Sequence, residues 1–176
     1  MAKRQALKEL QMRLAERLQL AKTQGIAPSW LAVEAGDEKY LFPLDQSGEI
    51  FSWGGVQSVS YTQPWFLGVA SLRGGLYGVV DMAGFVGSQS PVSKSELART
   101  ESRLVSLNNA LEVNCVLLID KLAGLRKQND FIDFSAPEPG AAEFFGNRYV
   151  DISGSSWQEI NLQVLAQQVK FLTIAA

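Results

Sequence analysis

The chain has 176 residues, of which 47% are hydrophobic and 19% charged, an ordinary composition for one globular domain or two small ones. Sixteen Lys and Arg residues against eighteen Asp and Glu residues give a net charge of −2, so the basic surplus typical of nucleic-acid-binding proteins is missing. There is no histidine and a single cysteine, Cys115. These counts exclude an intramolecular disulfide, a Cys/His zinc site and a histidine-activated nucleophile.

The cysteine content and the start of the chain predict a cytoplasmic location. One thiol in this composition is typical of a reducing compartment. Glu9 and Arg13 interrupt the stretch where a signal peptide would have its apolar core. Residues 50–72 carry no charge, but Gly, Ser, Gln and Pro residues interrupt them, so they are not a candidate membrane span.

Both ends of the sequence show the spacing of an amphipathic helix. Residues 4–24 form a pattern that Gly25 and Pro28 terminate, and this helix either packs on its own domain or binds a partner. Its apolar stripe consists of Leu7, Leu10, Leu14, Leu18 and Ala21. Residues 161–176 predict a second helix. The stripe there consists of Leu162, Leu165, Val169 and Leu172.

Between the two helices, short strands alternate with turns rich in Gly, Asn and Pro, a pattern that favours a barrel or a sandwich. Pro43 lacks a backbone N–H, which predicts an edge position or a bulge for its strand. The apolar run Cys115–Ile119 predicts burial on both faces, with Cys115 as a core thiol. The predicted strands cover residues 30–35, 40–44, 49–51, 56–61, 67–72, 76–81, 103–107, 111–120, 144–152 and 157–160.

No pattern of side chains predicts catalysis, and neither a metal nor a cofactor is expected. Glu34, Asp37 and Glu38 surround a hairpin turn, where solvated side chains are the simplest interpretation. The tryptophans have no basic groove around them and are expected to be core or interface anchors. They are Trp30, Trp53, Trp65 and Trp157.

Arg73 is the one charged residue between Glu49 and Asp81, and it stands at the junction of two apolar strands. A charge in an apolar environment has to be paired. Glu49 closes the same uncharged segment, so we predict that Glu49 and Arg73 pair across adjacent strands. The alternative is that both side chains are simply exposed at strand ends.

The sequence around this arginine resembles the signature of CheW-like chemotaxis coupling domains. The signature reads roughly Gly-Val-x-Asn-Leu-Arg-Gly, followed by a strand that ends in apolar-apolar-Asp-Leu. Residues 65–74 read Trp-Phe-Leu-Gly-Val-Ala-Ser-Leu-Arg-Gly, and residues 79–82 read Val-Val-Asp-Met. Ser71 replaces the usual Asn, and Gly78 stands where Pro is common. The resemblance covers about residues 29–170, although residues 52–63 and 124–127 depart from the family pattern.

The resemblance implies an all-β fold of two interleaved five-stranded SH3-like β-barrels that share a core, with a helix at each end. It implies a helical extension over residues 1–28 and a CheW-like domain over residues 29–176. It implies no catalysis. Within the family, the N-terminal helix and the central motif are most similar to members that control type IV pili and twitching motility.

The resemblance also implies partners. The family couples the cytoplasmic tip of a chemoreceptor to a CheA-type histidine kinase, so the membrane is reached only through the receptor. The kinase contact usually lies on the first barrel, and the receptor tip docks between the barrels. The family's paired Glu and Arg correspond to Glu49 and Arg73, which implies a partner-binding or structural role for Glu49, Leu72, Arg73 and Gly74. The alternative function is a small barrel that binds a nucleic acid or another ligand.

Overall fold

The computed structural model describes residues 8–9, 11–15, 28–87 and 96–176. Residues 8–9 and 11–15 are helical, and the rest of the predicted helix over residues 4–24 lies outside the described residues. Within the helical part, Leu14 is 57% exposed. None of the helices in the described ranges is long and apolar enough to cross a membrane.

Besides the helical residues 8–9 and 11–15, the described part of the chain contains twelve strands and four short α-helices. The first six strands are β1 (Ser29–Ala35), β2 (Glu38–Pro43), β3 (Ser47–Ser52), β4 (Val56–Gln57), β5 (Phe66–Leu72) and β6 (Gly75–Asp81). The others are β7 (Arg103–Leu107), β8 (Cys115–Ile119), β9 (Lys121–Lys127), β10 (Phe131–Ser135), β11 (Phe145–Asp151) and β12 (Ser156–Ile160). The helices are α1 (Met82–Val86), α2 (Glu96–Glu101), α3 (Leu162–Gln167) and α4 (Val169–Leu172). Single 3₁₀ turns cover Asn109–Leu111 and Gln128–Asp130.

The strands form two six-stranded sheets. Sheet 1 has the order β10-β11-β12-β2-β1-β9, and sheet 2 has the order β3-β7-β8-β6-β5-β4. Neighbours are antiparallel except for the parallel pairs β12–β2 and β6–β8. All six strands of sheet 2 lie in the sequence between β2 and β9, which belong to sheet 1, so the sheets are interleaved along the chain. The predicted all-β, interleaved class is confirmed, and each sheet has six strands rather than five.

A shared apolar core joins the two sheets, and β1 shows how. Leu31, Val33 and Ala35 lie in the largest buried cluster, which contains residues of both sheets. Trp30 and Ala32 point to the opposite side and belong to a second cluster inside sheet 1. Because successive side chains of a strand face opposite sides, β1 has no solvent face.

Strand β8 has the same arrangement in sheet 2. Cys115, Leu117 and Ile119 join the shared cluster, whereas Val116 and Leu118 join a third cluster within sheet 2. All five residues of β8 are buried. The prediction of burial on both faces, drawn from the uninterrupted apolar run, is confirmed.

Asp120, directly after β8, makes two hydrogen bonds that also connect the sheets. Its Oδ2 accepts a hydrogen bond from the backbone N–H of Gly36 at 2.8 Å. Its own N–H donates to the carbonyl oxygen of Glu34, also at 2.8 Å. The turn between β1 and β2 in sheet 1 is thereby fixed to the end of the central strand of sheet 2.

The tryptophan prediction is confirmed for three of the four residues, since Trp30, Trp65 and Trp157 are buried. Trp53 is half-buried, and the Arg99 guanidinium lies 5.2 Å from its ring centroid.

Three strand predictions differ from the structure. Strand β2 is interior, between β12 and β1, so the edge position predicted from Pro43 is wrong. Pro43 is the last residue of β2, and the parallel pairing with β12 involves only Tyr40 and Leu41. The missing N–H of Pro43 therefore removes no hydrogen bond between β2 and β12. Regular pairing covers only Val56–Gln57 of the predicted strand 56–61. The predicted strand 111–120 begins at Cys115 because Glu112 has a left-handed φ of +55°.

The predicted C-terminal helix over residues 161–176 is divided into two short helices and ends at Leu172. Gln168 is extended and separates α3 from α4, and residues after Leu172 leave the helix. Val169 and Leu172 of the predicted stripe are exposed, and Phe171 is buried instead. The break lets the Phe171 ring pack against Trp65 and Phe85 at centroid distances of 6.4 and 5.3 Å.

Burial raises the pKa of the Cys115 thiol to about 12. We therefore expect no alkylation of the folded protein by a maleimide near neutral pH, and one equivalent of label in denaturant. Mass spectrometry of protein labelled with and without urea measures this. Rapid labelling of the folded protein would contradict the placement of Cys115 in the shared core.

Asp151, at the end of β11, organises the turn into β12. Its Oδ1 accepts hydrogen bonds from the N–H and hydroxyl of Ser153 and from the N–H of Ser155. Its Oδ2 accepts from Trp157 Nε1 at 2.9 Å. These bonds, led by those from Ser153 and Trp157, hold the pKa of the Asp151 carboxyl well below its usual range.

A carboxyl whose pKa falls on folding stabilises the folded state above its unfolded pKa, near 3.9, and this contribution disappears as the pH drops through the folded value. We expect Asp151→Asn to lower the urea midpoint at neutral pH, because the amide presents a donor to the Trp157 N–H. The difference from wild type should shrink below about pH 4.

The matched control for this prediction is Asp133→Asn, since Asp133 is exposed and accepts from the neighbouring Phe134 N–H. We expect a smaller change for that variant. Equal urea midpoints for Asp151→Asn and wild type at neutral pH would contradict the stabilising role of Asp151.

Candidate partner-binding site

The motif arginine lies at the tip of a tight hairpin. Strands β5 and β6 are joined by Arg73 and Gly74, and Leu72 pairs with Gly75 across the turn. Arg73 has φ of +46° and Gly74 has φ of +76°. A two-residue hairpin of this twist requires positive φ at both central positions, which glycine adopts freely and arginine rarely does. The fold therefore holds an arginine where the backbone favours a smaller residue, which is a common feature of functional sites.

Arg73 pairs with Glu49, as predicted: Nη1 of Arg73 lies 3.0 Å from Oε2 of Glu49. The reasoning behind the prediction was wrong in two respects. Glu49 lies in β3, whose hydrogen-bonded neighbour is β7, so the pair does not join adjacent strands. Both side chains are exposed, by 76% for Arg73 and 55% for Glu49, because the hairpin tip projects into water.

An aromatic contact brings β3 close to the hairpin. The rings of Phe51 in β3 and Tyr77 in β6 have centroids 6.2 Å apart, and both pack against the cluster inside sheet 2. The two sheet segments that carry Glu49 and Arg73 are therefore brought together by side-chain packing rather than by backbone pairing. Sequence spacing alone contains no signal for such a contact.

Hydrogen bonding to β7 fixes the backbone of Glu49 on its other side. The N–H of Glu49 donates to the hydroxyl oxygen of Ser106 at 2.7 Å. A side chain at Gly48 would overlap the same hydroxyl and approach the carbonyl oxygen of Leu107. A small cavity of about 260 Å³ lies here, and Glu49, Phe51 and Tyr77 are among its lining residues.

Apolar side chains occur on the same hairpin as Arg73 and next to Glu49 in the sequence. Leu76 is 64% exposed and Ile50 is 43% exposed, while Leu72 is half-buried. A paired charge beside exposed aliphatic groups is the composition of a protein–protein contact, with apolar anchors and a polar rim. The sequence prediction named Glu49, Leu72, Arg73 and Gly74 and did not include Leu76, an exposed apolar residue of the same hairpin.

Gly68, the first glycine of the motif, allows the close approach of β4 to β5. It lies at a register shift in β5 and has φ of +138°. A Cβ atom there would overlap the carbonyl oxygen of Gln57. The motif therefore combines a packing requirement at Gly68 with an exposed tip at Arg73.

The groups around the tip offer binding rather than bond-making chemistry: a guanidinium, a carboxylate and aliphatic side chains. Within the described ranges, no cluster of three or more His, Cys, Asp or Glu side chains could hold a metal ion. Asp151 and Cys115, whose pKa values are shifted furthest, belong to the turn and core described above.

Because the Glu49–Arg73 pair is exposed, we expect Arg73→Ala to change the free energy of unfolding by less than about 1 kcal/mol. Gly68→Ala should cost roughly 2 kcal/mol or more, since the new methyl group has no space. Urea denaturation of the two variants measures both values. A loss for Arg73→Ala as large as that for Gly68→Ala would contradict a surface role for the arginine.

Comparisons with known proteins agree with this architecture. The family model of the CheW-like domain matches residues 29–141. The chain is 26% identical to Protein PilI of Pseudomonas aeruginosa over 161 residues, which cover 89% of this chain and 86% of that protein. Its fold is similar to the crystal structure of the scaffolding protein TtCheW from Thermoanaerobacter tengcongensis. That match has a TM-score of 0.61 at 16% identity and covers 77% of this chain and 89% of the other.

The chain belongs to the CheW-like domain family, because the family model matches more than half of its length. The family resemblance inferred from the motif at residues 65–82 is therefore confirmed. Membership places the chain among chemosensory coupling adaptors and supports a function through binding rather than through catalysis.

Proposed function

We propose that this protein couples the cytoplasmic tip of a chemoreceptor to a CheA-type histidine kinase. The observation that carries the proposal is the exposed Glu49–Arg73 pair at a strained hairpin tip, in a chain that belongs to the CheW-like family. An adaptor needs no reaction centre. It needs surfaces that fix two larger proteins in one geometry, so that the ligand state of one changes the activity of the other.

The hairpin tip suits one of these contacts. Leu72 and Leu76 would supply apolar area, and the ion pair would supply orientation at the rim. Gly74 has no atom within 4 Å of the position of a Cβ, so the turn leaves open space for a partner at the tip. The packing of Phe51 on Tyr77 holds both halves of the site before a partner arrives, which lowers the entropic cost of binding.

The proposed pathway is the chemosensory control of type IV pili and twitching motility, in the cytoplasm at receptor arrays. The similarity to Protein PilI over most of both chains supports this assignment. The net charge of −2 and membership in the CheW-like family give no support to the alternative of a nucleic-acid-binding barrel.

The test uses the full chain, a purified cytoplasmic receptor fragment and a purified CheA-type kinase from the same genome. We expect wild-type protein to bind both partners in biolayer interferometry. Arg73→Glu should weaken at least one of them by about fivefold or more, because it removes a rim cation and repels Glu49. Arg148→Glu is the matched control, since Arg148 is exposed on sheet 1, away from the hairpin, and should leave affinity unchanged.

The double variant Glu49→Arg with Arg73→Glu distinguishes a direct contact between Arg73 and a partner from a purely structural role of the ion pair. It restores an ion pair with reversed polarity, so a partner that contacts Arg73 should still bind weakly. Recovery of wild-type affinity would overturn the contact assignment and leave the pair a structural role. If wild-type protein bound neither partner, the coupling function itself would be wrong.

A further inference from the structure

Strand β10 presents apolar side chains at an edge of sheet 1. Within the described residues it pairs with β11 and with no other strand. Ile132 is 67% exposed and Phe134 is 61% exposed, so two large apolar side chains of this short strand remain in water. Exposed apolar groups that are clustered, unlike those scattered singly, mark an interaction surface.

The same strand lines a groove with a volume of about 530 Å³, within the range of about 300–1,000 Å³ that is usual for ligand sites. Its aromatic residues are Phe131, Phe134 and Tyr149. Ile132 and Asp133 also line it. The groove therefore offers mainly aromatic area on a concave surface.

The aromatic rings of the groove pack on one another and on the core of sheet 1. The Tyr149 ring centroid lies 5.1 Å from that of Phe131 and 5.0 Å from that of the buried Trp30. The Phe134 ring, the most exposed of the three groove rings, lies 5.9 Å from that of Tyr149. Rings that are fixed before binding lose little conformational entropy when a ligand arrives. The groove is therefore preorganised.

The backbone of β10 is poorly suited to pair with a further strand. The N–H of Phe134 donates to Oδ1 of Asp133 at 2.8 Å, so a side chain already occupies this donor. The register of β10 shifts between Phe131 and Asp133, which interrupts the regular spacing of its backbone groups. Bulges and charged residues protect sheet edges from strand addition. A ligand of this groove therefore has to bind without a ladder of backbone hydrogen bonds.

A polyproline II helix meets this requirement, because it is extended and has no internal hydrogen bonds to exchange for a ladder. Proline-rich segments bind aromatic-lined grooves in this conformation, and they hold it before binding, so little entropy is lost. Asp133 is exposed, and it is the one charged side chain among the described residues that line the groove. An Arg or Lys residue of the segment would complement its charge.

A second copy of the chain fits the groove less well. A two-fold contact between two β10 strands would bring the two Asp133 carboxylates toward each other, and like charges in such a position are destabilising. The chain's own proline-containing loop, with Pro137 and Pro139, carries Glu138 between them, and this charge is also negative. Neither supplies the basic residue that Asp133 favours.

We propose that the groove along β10 binds a proline-rich segment of a partner protein in the polyproline II conformation, with a basic residue of that segment next to Asp133. The prolines would pack on Phe131, Phe134 and Tyr149. The groove belongs to sheet 1, whereas the Arg73 hairpin belongs to sheet 2, so the proposal goes beyond the coupling function and does not rest on it.

Fluorescence anisotropy of labelled peptides, titrated with the full chain, tests the proposal. The probe is Arg-Pro-Pro-Pro-Pro-Pro-Pro. One control peptide has Glu in place of the Arg, and the other, Arg-Thr-Val-Thr-Val-Thr-Val, favours a β-strand. We expect saturable binding of the probe, binding of the Glu peptide that is weaker by about threefold or more, and weaker binding of the strand-forming peptide than of the probe.

Variants of the groove locate the site. Phe134→Ala should weaken binding of the probe by about tenfold, and Asp133→Asn, which retains an acceptor for the Phe134 N–H, by about threefold. Leu125→Ala is the matched apolar control, since Leu125 on β9 is 62% exposed. Glu101→Gln is the matched charge control, since Glu101 is exposed in α2. Both controls should leave the affinity unchanged.

The absence of saturable binding of the probe below about 1 mM would overturn the proposal. Equal binding of the Arg and Glu probes would overturn it too, as would equal losses for Phe134→Ala and Leu125→Ala. Tighter binding of the strand-forming peptide would assign β10 to strand addition and would contradict the proposal. The receptor and kinase experiment concerns the Arg73 hairpin, so its failure and the failure of this proposal are distinguishable.

Discussion

The shared apolar core between the two sheets is the constraint on which the rest of the structure depends. Strands β1 and β8 have no solvent face, because each supplies alternate residues to the shared cluster and to a cluster within its own sheet. Asp120 reinforces the junction by accepting from Gly36 in the opposite sheet. The sheets are therefore one packed body, even though most of sheet 1 is separated in sequence from β1 and β2 by sheet 2.

This constraint leaves the tips and edges of the sheets as the places where charged side chains remain in water. Side chains at the centre of each sheet are committed to packing, and a charge placed there would be costly. Arg73 at the hairpin tip and Glu49 on the edge strand β3 remain solvated and paired. The Phe51–Tyr77 contact links that tip to the core beneath it. Packing against the core therefore fixes the geometry of this exposed surface.

Charge is also distributed unevenly along the chain. The body is acidic, and the predicted N-terminal helix is basic with one apolar side.

The sequence by itself determined three elements from their local pattern: the buried run Cys115–Ile119, a turn between the strands 67–72 and 76–81, and the family motif around that turn. Strands β9 and β10 were missed because most of their residues are exposed, which leaves no apolar alternation to detect. Tertiary packing decided the rest. It placed Pro43 at the end of an interior strand, broke the C-terminal helix so that Phe171 could fill the core, and brought Glu49 to Arg73 through contacts between residues distant in sequence. Such contacts join residues that are far apart in the sequence, so the local pattern of residues around each one contains no signal for them.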